Sequence, residues 1–282
     1  MILVADSGST KTNWLAYKDG ECIETIGFNP FFHTSENVIS EIGKSEWLLH
    51  IAPQVQQLYF YGAGCSSASR NAIIDAGLRH HFKNASIVVD HDLKAAAFAT
   101  YDGRPAICCI LGTGSNSCVF DGKQIDNSVP ALGYILGDEG SGSYFGKQLL
   151  TAFLYGELPS ATQQLLSGKY DLTKEKIFSA VYNESHANVY LASFSKVLSE
   201  SPDQEFIRPM VYEGFYKFFR HHVACYQGNE LKPVHFVGSL AYHFRDILQQ
   251  VADAFQYELG AVDRQPVFKL LDWHERQKEK QL

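Results

Sequence analysis

The sequence predicts an α/β protein of duplicated plan, two lobes that each open with a three-stranded meander and share a cleft. Three observations carry that prediction. Two glycine-hydroxyl turns, Asp6-Ser7-Gly8-Ser9-Thr10-Lys11-Thr12 and Leu111-Gly112-Thr113-Gly114-Ser115-Asn116-Ser117, each lie between two apolar strand-like runs. The order of strand and helix patterns restarts after Asp102-Gly103-Arg104-Pro105. The length of 282 residues is also long for one core, since domains of about 100–150 residues are commonest.

Taken in order, Ile2–Ala5, Asn13–Tyr17 and Cys22–Gly27 read as the first meander, its first turn being the Gly-Ser-Thr segment. The apolar spacing then predicts a helix over Glu36–His50, strand Leu58–Gly62, helix Ser69–Phe82, strand Ile87–Val89 and helix Leu93–Thr100. A second meander follows as Ile107–Leu111, Cys118–Asp121 and Gln124–Val129, carrying the second turn. A helix-rich stretch from Ser141 to about Tyr226 precedes strand Val234–Val237 and helix Leu240–Tyr257. The expected lobes are therefore residues 1–104 and 105–282, the second with a helical insertion over about 141–230 and with last residues able to pack back on the first lobe. No low-complexity linker separates them, and the Gln277–Lys280 run reads as a solvated tail.

Composition excludes several classes of function. A net charge of −7 with no basic cluster argues against a nucleic-acid binder. Cys22, Cys65, Cys108, Cys109, Cys118 and Cys225 show no paired C-x-x-C spacing, and four of them fall in or beside apolar runs, so they read as buried thiols of a reducing compartment. The amino terminus opens into a strand and no apolar stretch approaches the roughly 18–20 residues of a membrane span. The expectation is a cytoplasmic protein that engages neither membrane nor nucleic acid.

The chemistry-bearing residues cluster at the turns. Glycines let a backbone approach a polyphosphate and adopt positive φ, while hydroxyls and free amides donate to its oxygens. One such turn is most often only a turn; its repetition suggests a split phosphate clamp. Asp6 ends the first strand, and Asp138-Glu139-Gly140 follows the second meander. Carboxylates beside phosphate turns suit Mg²⁺, which binds through one or two acids plus the phosphates. The alternative for Asp138 or Glu139 is a cap on the following helix. The string Gly137-Asp138-Glu139-Gly140-Ser141-Gly142 favours a functional loop, because so many glycines are poor helix formers.

Asp90-His91-Asp92 ends a strand and leads into the alanine-rich helix. Ligands of open α/β sheets bind at the carboxyl ends of strands, so Asp92 is a candidate general base for a substrate hydroxyl. Its competing reading is a helix N-cap, with Asp90 and His91 as loop residues. The pairs His80-His81 and His221-His222 lack the i,i+4 spacing of metal ligands. No G-x-x-x-x-G-K-[ST] loop and no G-x-S-x-G elbow occur, and Gly62-Ala63-Gly64-Cys65-Ser66-Ser67 is only a near-miss to a dinucleotide fingerprint.

The two turns, the Asp92 strand end, the Gly-Asp-Glu-Gly loop and the late Phe236-Val237-Gly238-Ser239-Leu240 turn resemble, in order and spacing over about residues 2 to 250, the N-acetylglucosamine kinases. These are BadF/BadG-type ATPases of the sugar kinase, Hsp70 and actin superfamily. The resemblance implies two ribonuclease H-like (actin-like ATPase) domains and ATP-dependent phosphorylation of an amino sugar. It implies that Asp6 and Asp138 organise a hydrated Mg²⁺, and that Gly8, Ser9, Thr10 and Lys11 with Gly112, Thr113, Gly114 and Ser115 hold the ATP phosphates. Gly238 and Ser239 would lie under adenosine, Asp92 would deprotonate the sugar, Asn29 would read sugar hydroxyls, and Glu139 and Thr113 would border the sugar. A homodimer is the expected assembly. Three departures stand out: Ser7 and Ser9 occupy places where glycine is common, Leu132-Gly133-Tyr134 replaces a Gly-Trp-Gly sugar wall, and Gln265 to Leu282 lacks a Gly-Ala-rich returning helix. The sugar is thus open among N-acetylglucosamine, N-acetylmuramic acid and other amino sugars. Two other readings are a BadF-type ATPase that activates a partner enzyme through a cysteine-bound iron-sulfur cluster, and a non-catalytic ATP or sugar sensor.

Overall fold

The computed structural model describes residues 1–16, 20–226 and 233–279. Tyr17 of the second expected strand, residues 227–230 of the expected insertion and Lys280 of the tail lie outside the described residues. The chain divides into two compact units, Met1–Tyr101 with Gln265–Leu282, and Asp102–Arg264.

In the first unit, strands β1 (Ile2–Ser7), β2 (Lys11–Leu15), β3 (Ile23–Ile26), β4 (Gln57–Gly62) and β5 (Ser86–His91) form one sheet in the order β3-β2-β1-β4-β5. The meander is antiparallel, and β1, β4 and β5 run parallel. β1 is apolar at four consecutive positions because both of its faces are covered. One face packs Leu3, Ala5, Trp14 and Phe60 with Phe28, Ile74 and Phe82. On the other, Ile2, Val4 and Leu15 meet Val267 and Leu271, while Tyr61 meets Ala95, Ala99 and Leu270.

The expected single helix over residues 36–50 is two. Ser35–Ile42 starts in a Thr34–Asn37 capping box and stops at Gly43, and Ser45 caps Glu46–Ile51. Each cap satisfies amides that a continuous helix would have paired internally. At the carboxyl end Val267–Glu279 is a helix, which the sequence reading lacks, and it belongs to the first unit. It is not rich in Gly or Ala, and instead buries Val267, Leu270, Leu271 and His274, which recur at helical spacing. Tyr61 Oη lies 2.9 Å from His274 Nε2, and the Tyr59 ring stacks on His274 at 3.6 Å between centroids. Burial lowers the His274 pKa to about 4, so the ring that shares this hydrogen bond with the tyrosine hydroxyl is neutral.

In the second unit, β6 (Ala106–Leu111), β7 (Ser115–Phe120), β8 (Ile125–Asp126), β9 (Val234–Val237) and β10 (Leu259–Asp263) are ordered β10-β9-β6-β7-β8. β8 is far shorter than the expected Gln124–Val129. The expected helix Leu240–Tyr257 is broken into Ser239–His243 and Arg245–Ala254, and β10, which the sequence reading lacks, follows it. Between β8 and β9 the helices bury Phe145, Phe194, Phe215, Phe218 and Phe219 in one core with Leu111 and Phe236 of the sheet. Among the described residues, no helix is long and apolar enough to cross a membrane.

Candidate active site

The first turn closes β1 onto β2 through one backbone bond, Gly8 N–H to Lys11 O at 2.9 Å. Ser7 is fully buried, and its hydroxyl lies 2.7 Å from Thr12 Oγ1 and accepts the Phe28 amide at 2.9 Å. The serine at this position therefore fastens the strand end to residue 28. Gly27 lies against the turn: a Cβ there would fall 2.2 Å from Gly8 O and 2.7 Å from the Ser9 carbonyl carbon. Gly8 has ordinary φ, and its nearest obstacle to a Cβ is 3.7 Å away. Its use is open backbone, not a left-handed conformation. The Lys11 ammonium is held in an ion pair by Glu24 across the meander.

Asp6 stands at the carboxyl end of β1. Burial pushes its pKa up to about 7, with the Asp92 charge adding and Lys11 opposing. Asp92 opens the helix Asp92–Thr100 directly after β5, so the structure places it at a strand end, as the sequence predicts. It is not the cap: His91 is, accepting the Leu93 amide on Nδ1 at 3.1 Å. The same Nδ1 lies 2.9 Å from Asp92 Oδ1. Asp90 is spent structurally, accepting from the His91 amide at 2.9 Å and from Lys94 Nζ at 2.6 Å.

Asn29 is buried, with its side-chain oxygen accepting the Phe31 amide at 3.0 Å. That leaves the amide nitrogen to donate. Gly64, at φ 83°, makes room for it, since a Cβ would fall 2.5 Å from Asn29 Oδ1. The structure thus brings residues 62–65, the near-miss to a dinucleotide fingerprint, against the asparagine. Arg70, the third residue of the following helix, lies 3.8 Å over the Phe31 ring.

The second turn is fastened to a helix. Gly142 and Ser143 at the start of Gly142–Tyr155 donate to the carbonyls of Gly112 at 2.8 Å and Thr113 at 3.0 Å. Asp138 holds a left-handed backbone, φ 55°, and its Oδ1 accepts the Ser115 amide at 3.1 Å. A Cβ on Gly114 would fall 2.9 Å from Asp138 Oδ2, so glycine lets the carboxylate lie on the turn. Burial raises the Asp138 pKa to about 6; the Ser115 amide and Lys147 oppose this and Glu139 adds to it. Among the described residues the buried Ser115 hydroxyl has no hydrogen-bond partner. An unpaired hydroxyl beside a carboxylate that resists ionisation suits a phosphate and its cation. Ser141, not Asp138 or Glu139, caps the helix.

Glu139 lies 3.7 Å from Nε2 of the buried His222, which a single π-helical turn, Phe219–Val223, presents. Gly238, at φ 133° after β9, packs under the second turn, since its Cβ would fall 2.1 Å from Leu111 O. That contact joins the candidate adenosine residues, Gly238 and Ser239, to the candidate phosphate residues. Among the described residues no group of three or more His, Cys, Asp or Glu side chains could hold a metal by itself. Gly27, Gly64, His91 and His222 are the site-bordering residues the sequence reading missed. Only Gly64 carried a signal, as a glycine after a strand.

No family model and no curated protein matches the chain. Among solved structures, a candidate N-acetylglucosamine kinase of Porphyromonas gingivalis is 35% identical, with a TM-score of 0.88 over 99% of this chain and 100% of that one. The chain belongs to the N-acetylglucosamine kinase-like family and has the actin-like ATPase fold. A candidate N-acetylglucosamine kinase of Chromobacterium violaceum, 17% identical over 96% of this chain and 98% of that one, superposes with a TM-score of 0.58. A candidate sugar kinase of Cytophaga hutchinsonii, 16% identical over 98% and 99%, gives 0.51. These two share the fold: each unit of this kinase-like chain is a ribonuclease H-like domain with the actin-like strand order.

Proposed function

We propose that the protein transfers the γ-phosphate of ATP to a hydroxyl of an amino sugar, N-acetylglucosamine or a related N-acetylhexosamine such as N-acetylmuramic acid. The observation that carries this reading is that each glycine-hydroxyl turn keeps a half-buried carboxyl at its edge, Asp6 and Asp138, whose ionisation is opposed by desolvation. Such acids gain most from a cation placed between them and a polyphosphate.

In this scheme the amides of Gly8 to Lys11 and of Gly112 to Ser115 grip the phosphates, joined by the Ser115 hydroxyl. Asp6 and Asp138 would hold the water shell of Mg²⁺, which supplies neutralisation of charge on the transferring group. Asn29 donates from its amide nitrogen to the sugar, with Glu139 and Thr113 at its border and Gly238 and Ser239 beneath adenosine. Asp92 accepts the proton of the attacking hydroxyl, and most of the rate gain is positioning and charge stabilisation. The four buried cysteines, Cys65, Cys108, Cys109 and Cys118, weigh against an activator ATPase that needs exposed ligands for an iron-sulfur cluster. The test is ADP release from Mg-ATP with N-acetylglucosamine, N-acetylmuramic acid, N-acetylmannosamine, glucosamine, glucose or no sugar. Stimulation by an amino sugar is expected, and turnover indifferent to all of them overturns the reading.

A further inference from the structure

His91 does two things with one nitrogen. Its Nδ1 accepts the Leu93 amide at 3.1 Å and lies 2.9 Å from Asp92 Oδ1. These contacts are incompatible in one protonation state. A bare Nδ1 can take the amide proton but turns a lone pair toward the carboxylate. A protonated Nδ1 donates to Asp92 but leaves the Leu93 amide without its acceptor. We propose that His91 is a positioning residue for Asp92: its protonated Nδ1 holds Oδ1, so that Oδ2 is the oxygen presented to the acceptor hydroxyl. This rests on the reading of Asp92 as the base.

Several groups set the balance. Burial disfavours the charged ring, but the hydrogen bond and charge of Asp92, with the charge of Asp90, outweigh it, and the His91 pKa is raised. Lys94 partly neutralises Asp90 at 2.6 Å. Cys65, whose thiol pKa is pushed up to about 12 by burial and by Asp92 and Asp90, stays neutral beside them. Asp6, at the end of β1, feels the Asp92 charge. The clamp is complete below the ring's raised pKa and is lost as pH rises through it, when Nδ1 reverts to capping Leu93. The proton that Asp92 takes from the sugar goes to Oδ2 and leaves to water with product, so His91 neither gains nor loses a proton in the transfer.

The role separates from capping because serine and asparagine are both good N-caps. His91→Ser keeps an acceptor for the Leu93 amide and removes the clamp. It is expected to lower kcat about tenfold, as for loss of one orienting contact to a base, with KM for ATP and sugar and the melting temperature nearly unchanged. His91→Asn offers both an acceptor for Leu93 and a non-titrating donor for Asp92. It should restore most of kcat and lose the alkaline decline of the wild type. Wild-type kcat and pH profile in His91→Ser would overturn the proposal. A readout free of turnover runs alongside, the ¹H–¹⁵N NMR titration of the His91 ring. It should titrate above the ordinary histidine value and fall toward that value in Asp92→Asn. An unchanged titration overturns the clamp even if no sugar is phosphorylated, whereas a shifted titration with no sugar-dependent turnover keeps the clamp and removes the kinase reading.

Discussion

The two units solve one topological problem twice and equip the result differently. Read in their own chain order, the strands of both sheets run 3-2-1-4-5, and the tight turn between the first two strands carries glycine and hydroxyls in each. In the first unit that turn is fastened to its own sheet, through Ser7 to Thr12 and Phe28 and through Gly27 beneath it. In the second it is fastened to an inserted helix, through Gly142 and Ser143, and carries the carboxylate of a separate loop, Asp138. A turn tied to a sheet is held by strand pairing; a turn tied to a helix start is held by amides that the helix itself leaves unpaired. The duplication supplies two glycine-hydroxyl turns, and under the proposed function the acceptor chemistry falls to the first unit, where β5 ends in His91 and Asp92 opens the next helix.

The strongest way to break this comparison is to exchange its acids. Asp92→Asn should cut sugar-dependent turnover about 10²-fold or more with ATP and sugar binding nearly intact, as for loss of a general base. Asp263, at the end of the corresponding strand β10 of the second unit, should tolerate Asp263→Asn within about twofold, because no base is assigned there. Equal losses at both sites would mean that the units share the chemistry.

Next in size is the packing of glycine under each turn. Gly27→Ala and Gly238→Ala place a methyl 2.2 Å and 2.1 Å from backbone oxygens, where no side-chain rotation gives relief. Each should cost about 3 kcal/mol or more, read by urea unfolding. Gly238→Ala should cost more, since φ 133° adds strain. Gly8→Ala has 3.7 Å of room and should leave stability within about 0.5 kcal/mol while raising KM for ATP. A stable Gly27→Ala protein would mean that the two chain segments are not held together as described.

This contrast also marks what the sequence made legible. The strands β1, β4, β6 and β9 announced themselves as apolar runs, and the turns by their glycines. Asp92 is legible as a strand-end acid because the apolar strand pattern stops at Val89, and β5 itself runs on to His91. The reasons for the glycines were not legible: Gly8, Gly112 and Gly114 have no positive φ, and Gly114 is small for the sake of a carboxylate 24 residues away. Gly27 matters through contact with a turn that sequence separation hides. β10 was missed because Gly260 accommodates the His235 ring and the strand is half-buried, which weakens the apolar signal. The helix Val267–Glu279 is hard to read because charged residues interrupt its apolar stripe, and because a buried, neutral His274 does not look apolar in a sequence.

Asp138→Asn tests whether the loop acid of the second unit serves the cation. It should raise the Mg²⁺ concentration needed for half-maximal turnover about tenfold, with a smaller change in KM for the sugar. An unaltered Mg²⁺ dependence would reduce Asp138 to a partner of the Ser115 amide.

The smallest effect is the most direct physical contrast between the two acids. A carboxyl whose folded pKa is raised binds its proton more tightly folded than unfolded, so stability is greatest while the group is protonated and is lost as pH rises. For Asp6 that loss accrues between about pH 4 and 7, and for Asp138 between about pH 4 and 6. Without nucleotide and Mg²⁺, Asp6→Asn should therefore melt higher than wild type at pH 8, and by more than Asp138→Asn does. Both differences should vanish near pH 4, where wild type is already protonated. His274 acts in the opposite sense: its lowered pKa removes stability as pH falls from about 6.5 to 4 in all three proteins alike, so it cancels from the differences. Equal gains at pH 8 would mean that the strand-end acid of the first unit is no more buried than the loop acid of the second, and a destabilised Asp6→Asn would mean that its carboxylate is held charged by partners within the fold.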